Sequence, residues 1–335
     1  ANDHVLQVAI RKGNLEIVSL LLAVDGIDLS FEGSPLNKTA LDLAIQLQDV
    51  AMARLILQAG GKITEPADGQ EDDALLLWAL REETSTELLR FIVKDVGVDV
   101  QKPDGEGYTP LMLAVHSRDF EAVDLLLPGS DINAQAPDGS TCLILATLNG
   151  DLAMSNILLA AKAEVNGTAL DGSTSLHLAS QEGFGKLVSN LVLHKASVDA
   201  LKDDGASALY IAASEGHEDI VSLLVGSKAD CNIVFRGIST ALTQSIGSNT
   251  IGIVRSLCTS PNIDLDMVLK SGTTPVLTAI SQDLAPILQV LLNAKVDAAR
   301  ADQNGTTPLM VAVDQNSPEL VETLVKGPVP PGIDA

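Results

Sequence analysis

The chain has 335 residues, with 44 Asp and Glu against 21 Lys and Arg, which gives a formal net charge of −23. So acidic a surface repels phosphate backbones and anionic lipids, which argues against nucleic acid and membrane surfaces as partners and favours a basic protein partner. Hydrophobic residues make up 46% of the chain but aromatic residues only 2%, so the core must be built from Leu, Ile, Val and Ala. This composition suits closely packed helices.

Cysteine and histidine usage predicts neither disulfides nor a metal site. Cys142, Cys231 and Cys258 are too few and too scattered for a disulfide framework, and the five histidines form no cluster with metal-ligand spacing. We therefore expect a reducing, cytoplasmic setting and no cofactor. No apolar run approaches the roughly 18 residues that a membrane-spanning helix needs, and the N-terminus lacks a signal-peptide pattern, so direct membrane insertion is not expected.

A short block of similar sequence recurs along the whole chain at intervals of 32 to 35 residues. In chain order the copies are HVLQVA at 4, TALDLA at 39, ALLLWA at 74, TPLMLA at 109, TCLILA at 141, TSLHLA at 174, SALYIA at 207, TALTQS at 240, TPVLTA at 274 and TPLMVA at 307. Self-similarity at a fixed period is typical of repeat architectures, so the chain is predicted to contain ten structural repeats.

Each repeat carries a second apolar block thirteen residues after the first, as in IVSLLL from Ile17, AVDLLL from Ala122 and ILQVLL from Ile287. Its apolar residues lie mostly three and four apart, which predicts an amphipathic helix. The first block predicts a shorter helix, and a turn near a glycine such as Gly150 or Gly183 separates the two. Turn-rich stretches such as KAEVNGTALDG follow the second helix and predict a β-turn and hairpin.

This pattern resembles the ankyrin repeat over essentially the whole chain. The resemblance implies an all-α solenoid of paired antiparallel helices with short β-hairpin connections, forming one array over residues 1–335. It implies that the Thr of the motif caps the first helix, that Pro fills the first turn, and that His hydrogen-bonds neighbouring backbone. It also implies a concave face, formed by the hairpin tips and first helices, that binds proteins without catalysis.

One stretch could be mistaken for a catalytic site. Ser175, His177 and Glu182 lie close together in the sequence, as a nucleophile and its base could. However, other repeats fill the Ser position with residues such as Pro, Cys or Ala and the His position with residues such as Met, Ile, Tyr, Thr or Leu. The nearby SQEGFGKL is not a phosphate loop, because Ser180 and Leu187 stand where that motif requires Gly and Ser or Thr. We therefore expect scaffold residues here, and no enzyme.

Atypical residues at hairpin tips and on first helices are the candidate partner-binding positions. The tip before repeat eight is the most unusual, because CNIVFRG replaces an Asp-containing turn; Phe235 is expected to be an exposed anchor outside the core. Stacking of consecutive repeats should align the candidates in one groove across repeats four to eight, fitting a basic or amphipathic segment of a partner protein. The candidates are Tyr108, His116, Leu148, Leu170, Glu182, Leu201, Glu215, Phe235 and Arg236.

A second hypothesis is that the array is a structural or intramolecular docking arm of a larger scaffold, channel or enzyme. The ends of the sequence favour a fragment of a longer protein. IVSLLL in repeat one is as apolar as the internal copies, whereas terminal repeats need a polar outer face. At the other end, LVKGPVPPGIDA stops where the hairpin of an eleventh repeat would begin.

Two further expectations concern single residues. In repeat eight, Ser245 and Ser256 stand where the pattern has a buried Ala and a buried Leu, which should weaken its packing. The resemblance also suggests hydroxylation of hairpin Asn residues by a cytosolic oxygenase, with Asn133 and Asn166 in the matching sequence frame.

Overall fold

The structure is a computed structural model that describes residues 3–24, 26–29, 39–63, 75–82 and 84–327. Residue 74, where the third block begins, and the C-terminal residues 328–335 lie outside the described residues. The described chain forms ten pairs of helices and only three isolated β-bridges, at the tips before repeats six, seven and eight. The predicted all-α class is confirmed, and its hairpins are single-bridge turns.

Each repeat contributes a first helix and a second helix, joined by a short turn. The first helices are Asp3–Arg11 (α1), Ala40–Gln46 (α3), Leu75–Arg81 (α5), Pro110–His116 (α7), Cys142–Leu148 (α9), Ser175–Gln181 (α11), Ala208–Glu215 (α13), Ala241–Gly247 (α15), Pro275–Ser281 (α17) and Pro308–Asp314 (α19). The second helices are Leu15–Leu22 (α2), Val50–Gln58 (α4), Thr86–Phe91 (α6), Phe120–Leu126 (α8), Leu152–Ala160 (α10), Gly185–Leu193 (α12), Glu218–Gly226 (α14), Ile251–Cys258 (α16), Ala285–Asn293 (α18) and Pro318–Lys326 (α20). A π-helical turn, Ile92–Val96, extends α6.

The motif Thr begins the first helix, as the sequence predicts. Thr109, Thr274 and Thr307 each accept a hydrogen bond from the backbone N–H three residues on, and each is followed by a Pro in the first turn. Such caps satisfy N–H groups that have no partner within the helix, and Pro is tolerated there because it has no N–H to lose. The start of the first helix is therefore encoded locally.

The turn between the two helices needs one residue with positive φ. Gly150 and Gly183 supply it in repeats five and six, with φ of 66° and 75°. In repeat eight the same position is held by Asn249, with φ of 54°. Asn tolerates this conformation better than most side chains, so repeat eight keeps its turn without the usual glycine.

The chain divides into two compact units, one containing the residues up to Leu145 and the other those from Ala146 onward. In the second unit the first helices pack in the order α11, α13, α15, α17 and α19, and the second helices pack in a parallel series from α10 to α20. In the first unit α1 packs on α3, α5 on α7, and α2, α4, α6 and α8 form the second-helix series. Buried Leu, Ile, Val and Ala fill both cores, as the composition predicts.

Loop side chains after the second helices form a ladder between successive repeats of the second unit. In each rung a side-chain oxygen accepts the backbone N–H of a residue in the next repeat at 2.7–2.8 Å. The accepting residues are Asn166, Asp199, Asn232 and Asp266. The amide oxygen of Asn166, one of the two candidate hydroxylation sites, is thus engaged with Ser197, and its hydroxylation stays a prediction.

The structure corrects one expectation for repeat eight. Ser245 is buried, and its hydroxyl donates to the carbonyl oxygen of Ala241 at 2.7 Å. Ser256 is not a core residue: it is only half-buried, and its hydroxyl hydrogen-bonds with that of Ser222 at 2.9 Å. The core position belongs to the next residue, Leu257, which is fully buried. The polar residue therefore faces outward and does not weaken the core.

Candidate partner-binding surface

His177 is a structural residue whose two ring nitrogens are both occupied. Its Nδ1 accepts the backbone N–H of Thr174 at 3.1 Å, which leaves the proton on Nε2 to donate to the carbonyl oxygen of Ala200 at 2.9 Å. Burial lowers the pKa of His177, which keeps the imidazole neutral. The Ser175 hydroxyl is buried with no hydrogen-bond partner, so no base activates it. The geometry matches the scaffold role that the sequence predicts.

The described residues hold no group of three or more His, Cys, Asp or Glu side chains placed to bind a metal ion. Cys142 and Cys231 are buried and Cys258 is half-buried, and burial raises the pKa of Cys142 to about 12 and of Cys258 to about 11. Thiols with raised pKa values are poor nucleophiles at neutral pH. No helix in the described part of the chain is long and apolar enough to cross a membrane.

Two of the nine candidate binding residues lie in the first compact unit. Tyr108 is half-buried at the tip before α7, and its hydroxyl donates to Asp138 at 3.2 Å. Partial burial and the neighbouring Asp138 raise the pKa of Tyr108. Partial burial acts to raise the pKa of Asp138, but hydrogen bonds from Ser140 and Tyr108 outweigh it and hold that pKa below its usual value. His116 is exposed in the last turn of α7.

The other seven candidates lie in the second unit, where one tip differs from its neighbours. Before repeat six, Gly172 donates to the carbonyl of Ala169 at 3.0 Å and takes the positive φ at the end of the turn. Before repeat eight, the two central residues Arg236 and Gly237 take positive φ instead, 51° and 72°, which is a type I′ turn. Ile238 therefore stands at the position that glycine occupies in the other tip.

Phe235 is not the free anchor that the sequence suggests. Its ring is half-buried and stacks on Tyr210, with centroids 4.4 Å apart and planes 25° apart. The guanidinium carbon of Arg236 lies 4.8 Å from the same centroid and pairs with Asp204 at 3.1 Å. The Tyr210 hydroxyl bonds in turn to Ser239 and Gln244 at 3.1 and 3.3 Å. Phe235 thus holds the tip against α13.

The tips of repeats six to nine form a continuous row. Asp203 donates its backbone N–H to the carbonyl of Asp171 at 3.1 Å, and Lys202 pairs with the Asp171 carboxylate at 2.9 Å. The Lys202 ammonium lowers the pKa of Asp171 to about 2. The Arg236–Asp204 pair joins the next two tips, and the Lys270 side chain lies against Gly237.

Along this row several large apolar side chains face solvent. Leu170 is 73% exposed and Ile238 65%, and Leu201 and Val234 are exposed beside them. Single exposed apolar residues are ordinary, but adjacent tips in contact make a contiguous strip. We call these four residues the tip strip.

The candidate acids lie at the opposite end of the first helices. Leu178 and Glu182 are four residues apart, as are Ile211 and Glu215, so each pair shares a helix face. Both glutamates are exposed and both aliphatic residues half-buried. A helix of seven or eight residues is about 10–12 Å long, so the acids are separated from the tips by that distance rather than adjoining them. Leu148 is exposed at the matching end of α9.

Together these residues make up one surface of the second compact unit, which we call the groove. Its floor is Leu178 and Ile211, one edge is the tip strip, and the other edge is Glu182 and Glu215. Four of these positions were not among the candidates: Leu178, Ile211, Val234 and Ile238. Aligning the repeats could have found Ile238, which replaces a turn glycine, but the floor residues look like ordinary motif positions.

The family follows from sequence comparison. A model of ankyrin repeats in three copies matches residues 76–169, 143–235, 176–267 and 242–334, together more than half of the chain. The chain belongs to the ankyrin-repeat family. The ankyrin repeat domain of Bcl-3, described as a unique member of the IkappaB protein family, has a similar structure, with a TM-score of 0.60 at 24% identity. That similarity covers 66% of this chain and all of that domain, and it supports the fold alone. No curated protein sequence matches the chain.

The family assignment gives the array its general role. Ankyrin repeats are protein–protein interaction modules, and the ankyrin array described here has the same helix pairs, capped first helices and stacked tips.

Proposed function

We propose that this ankyrin array is a non-enzymatic protein-binding module whose partner sits in the groove of repeats six to eight. The observation that carries the proposal is the tip strip. Leu170, Leu201, Val234 and Ile238 expose apolar side chains on three consecutive tips, which a hydrogen bond and ion pairs hold together. Such a patch, rimmed by polar residues, is typical of a protein interaction site.

The charge around the groove supports a basic partner. Lys202 and Arg236 are each paired with a carboxylate of the preceding tip, so their charges are offset. Asp203, Glu182 and Glu215 are exposed and form no ion pair among the described residues. The local charge is therefore negative, in the same sense as the net charge of −23. A basic, partly apolar segment complements both features.

Affinity capture from extracts of cells that make the protein tests this function. The wild-type array is compared with the double variant Leu201→Asp/Ile238→Asp and with Leu193→Asp. Leu193 is 75% exposed on α12, away from the groove, so it controls for adding a carboxylate at an exposed leucine. We expect partners of the wild type to be retained by Leu193→Asp and lost by the double variant, with all three proteins folded by circular dichroism. If partners were lost by Leu193→Asp and retained by the double variant, the groove would not be the binding surface.

A further inference from the structure

The spacing of consecutive repeats constrains the conformation of a segment that contacts several tips; this inference rests on the proposed function. Adjacent helices pack about 8–10 Å apart, so equivalent residues of consecutive repeats recur at about that interval. Leu201 and Val234 are such equivalents, 33 residues apart in the sequence. A bound segment that contacts every repeat must present side chains on one face at the same interval.

An α-helix meets this requirement. Seven residues of a helix rise about 10.5 Å and complete almost two turns, so residues seven apart lie on one face. In an extended strand the side chains of one face recur at about 6.6–6.8 Å, which does not match the repeats. In a polyproline II helix the side chains of one face recur at about 9.3 Å, but such segments dock in aromatic-lined grooves. Here the aromatic rings of Tyr210 and Phe235 stack on each other, and the floor is aliphatic.

The width and charge of the groove agree with the same occupant. The floor between the tips and the glutamates is as wide as the first helices are long, about 10–12 Å, which equals the diameter of an α-helix with its side chains. Repeats six and seven each place one exposed glutamate, Glu182 or Glu215, on the same edge of the groove. A helix lying along the groove therefore needs one basic residue every seven on that side.

We propose that the groove binds an amphipathic α-helix of a partner protein that lies along the repeats. The helix carries large apolar residues seven apart, which contact the tip strip at repeats six, seven and eight. A second row of Lys or Arg, also seven apart, faces Glu182 and Glu215. From repeat eight onward, Gln244 and Thr278 take the floor positions and Ser248 and Gln282 the edge, so the complementary surface ends there.

A pair of synthetic peptides tests the inference on the full chain. The first, of about 21 residues, places Leu and Lys in two rows seven residues apart in an Ala- and Gln-rich helix. The second has the same composition with the Leu and Lys spacing made irregular. We expect the first peptide to bind at least about tenfold more tightly by fluorescence anisotropy, since a tenfold difference is about 1.4 kcal/mol.

Three variants complete the test. Leu201→Asp/Ile238→Asp and Glu182→Lys/Glu215→Lys should each weaken binding of the regular peptide about tenfold or more, whereas Leu193→Asp should leave it unchanged. Equal binding of both peptides, binding of neither, or insensitivity to the groove variants overturns the helical occupant. The protein-binding function is judged separately by the capture experiment, so either conclusion can fail without the other.

Discussion

The ring of Phe235 stacks on the ring of Tyr210, with centroids 4.4 Å apart, and so ties the tip before repeat eight to helix α13 of repeat seven. Offset-stacked aromatic pairs contribute about 0.5–1.5 kcal/mol beyond the area that they bury. The pair holds in place a turn in which Arg236 has a positive φ of 51°, a conformation that costs free energy for a residue other than glycine. The stacked pair therefore has a structural role as well as a place beside the groove.

Phe235→Ala should lower the free energy of unfolding, whereas removing a fully exposed ring from a tip would leave it almost unchanged. We expect a coupling energy between Phe235→Ala and Tyr210→Ala of about 0.5–1.5 kcal/mol in a double-mutant cycle measured by urea denaturation. Tyr210→Phe is the control, because it keeps the ring and removes only the hydroxyl that bonds to Ser239 and Gln244. Additive effects of the two alanine substitutions would mean that the rings do not support each other.

The fold could be predicted from the sequence because each repeat encodes it locally. Thr174 caps a helix, the apolar positions recur three and four apart, and a period near 33 residues repeats both signals. The Phe235–Tyr210 contact could not be predicted, because it depends on the turn type of a tip and on a residue in the preceding repeat. The floor residues Leu178 and Ile211 were missed because their partial exposure depends on what the neighbouring repeats leave uncovered.

The errors made from the sequence have similar causes. Ser256 was placed in the core because it aligns with Leu223 of repeat seven, but that position is itself only half-buried, and the buried leucines are the next residues, Leu224 and Leu257. Glu182 and Glu215 were grouped with the tips because they follow them closely in the sequence. In the structure the first helix of each repeat separates the acid from the tip by about 10–12 Å.

Ser180→Ala should stabilise the array. The Ser180 side chain is fully buried, and its hydroxyl has no hydrogen-bond partner. An unpaired buried hydroxyl costs about 1–3 kcal/mol, and the equivalent residue of the next repeat is Ala213. We expect the urea concentration at the unfolding midpoint to rise, with no change in the dependence of the unfolding free energy on urea concentration. Ser245→Ala is the matched control: its hydroxyl is also buried but bonded to Ala241, so its removal should change stability by less than about 1 kcal/mol. A larger gain at Ser245 than at Ser180 would contradict this account.

The stability of the array should fall as the pH drops below about 6.5, the ordinary pKa of histidine. Burial lowers the pKa of His177 in the folded state, so the unfolded chain takes up a proton more readily. The stability that depends on neutral His177 is therefore complete above the unfolded pKa and is lost as the pH falls.

Urea denaturation at pH values between about 7.5 and 5.5 should show this loss in the wild type and a smaller one in His177→Gln. The His194→Gln variant is the control, since His194 is exposed. In this range the Asp171 carboxylate, with its pKa lowered to about 2, stays ionised and does not contribute. If the dependence of the unfolding free energy on pH persisted in His177→Gln and disappeared in His194→Gln, the effect would come from His194 and the prediction would be wrong.

The last described repeat should tolerate changes that the repeat before it does not. Ile280 of α17 is 0% exposed, because α19 packs against its helix, whereas the equivalent Val313 of α19 is 61% exposed. A carboxylate at Ile280 would be buried without a partner, so Ile280→Asp should cost more than about 4 kcal/mol. Val313→Asp adds a charge that water can solvate, so it should change the free energy of unfolding by less than about 0.5 kcal/mol. Urea denaturation of the two variants measures the difference. If Val313→Asp were nearly as destabilising as Ile280→Asp, the outer face of α19 would have to be covered by another part of the protein.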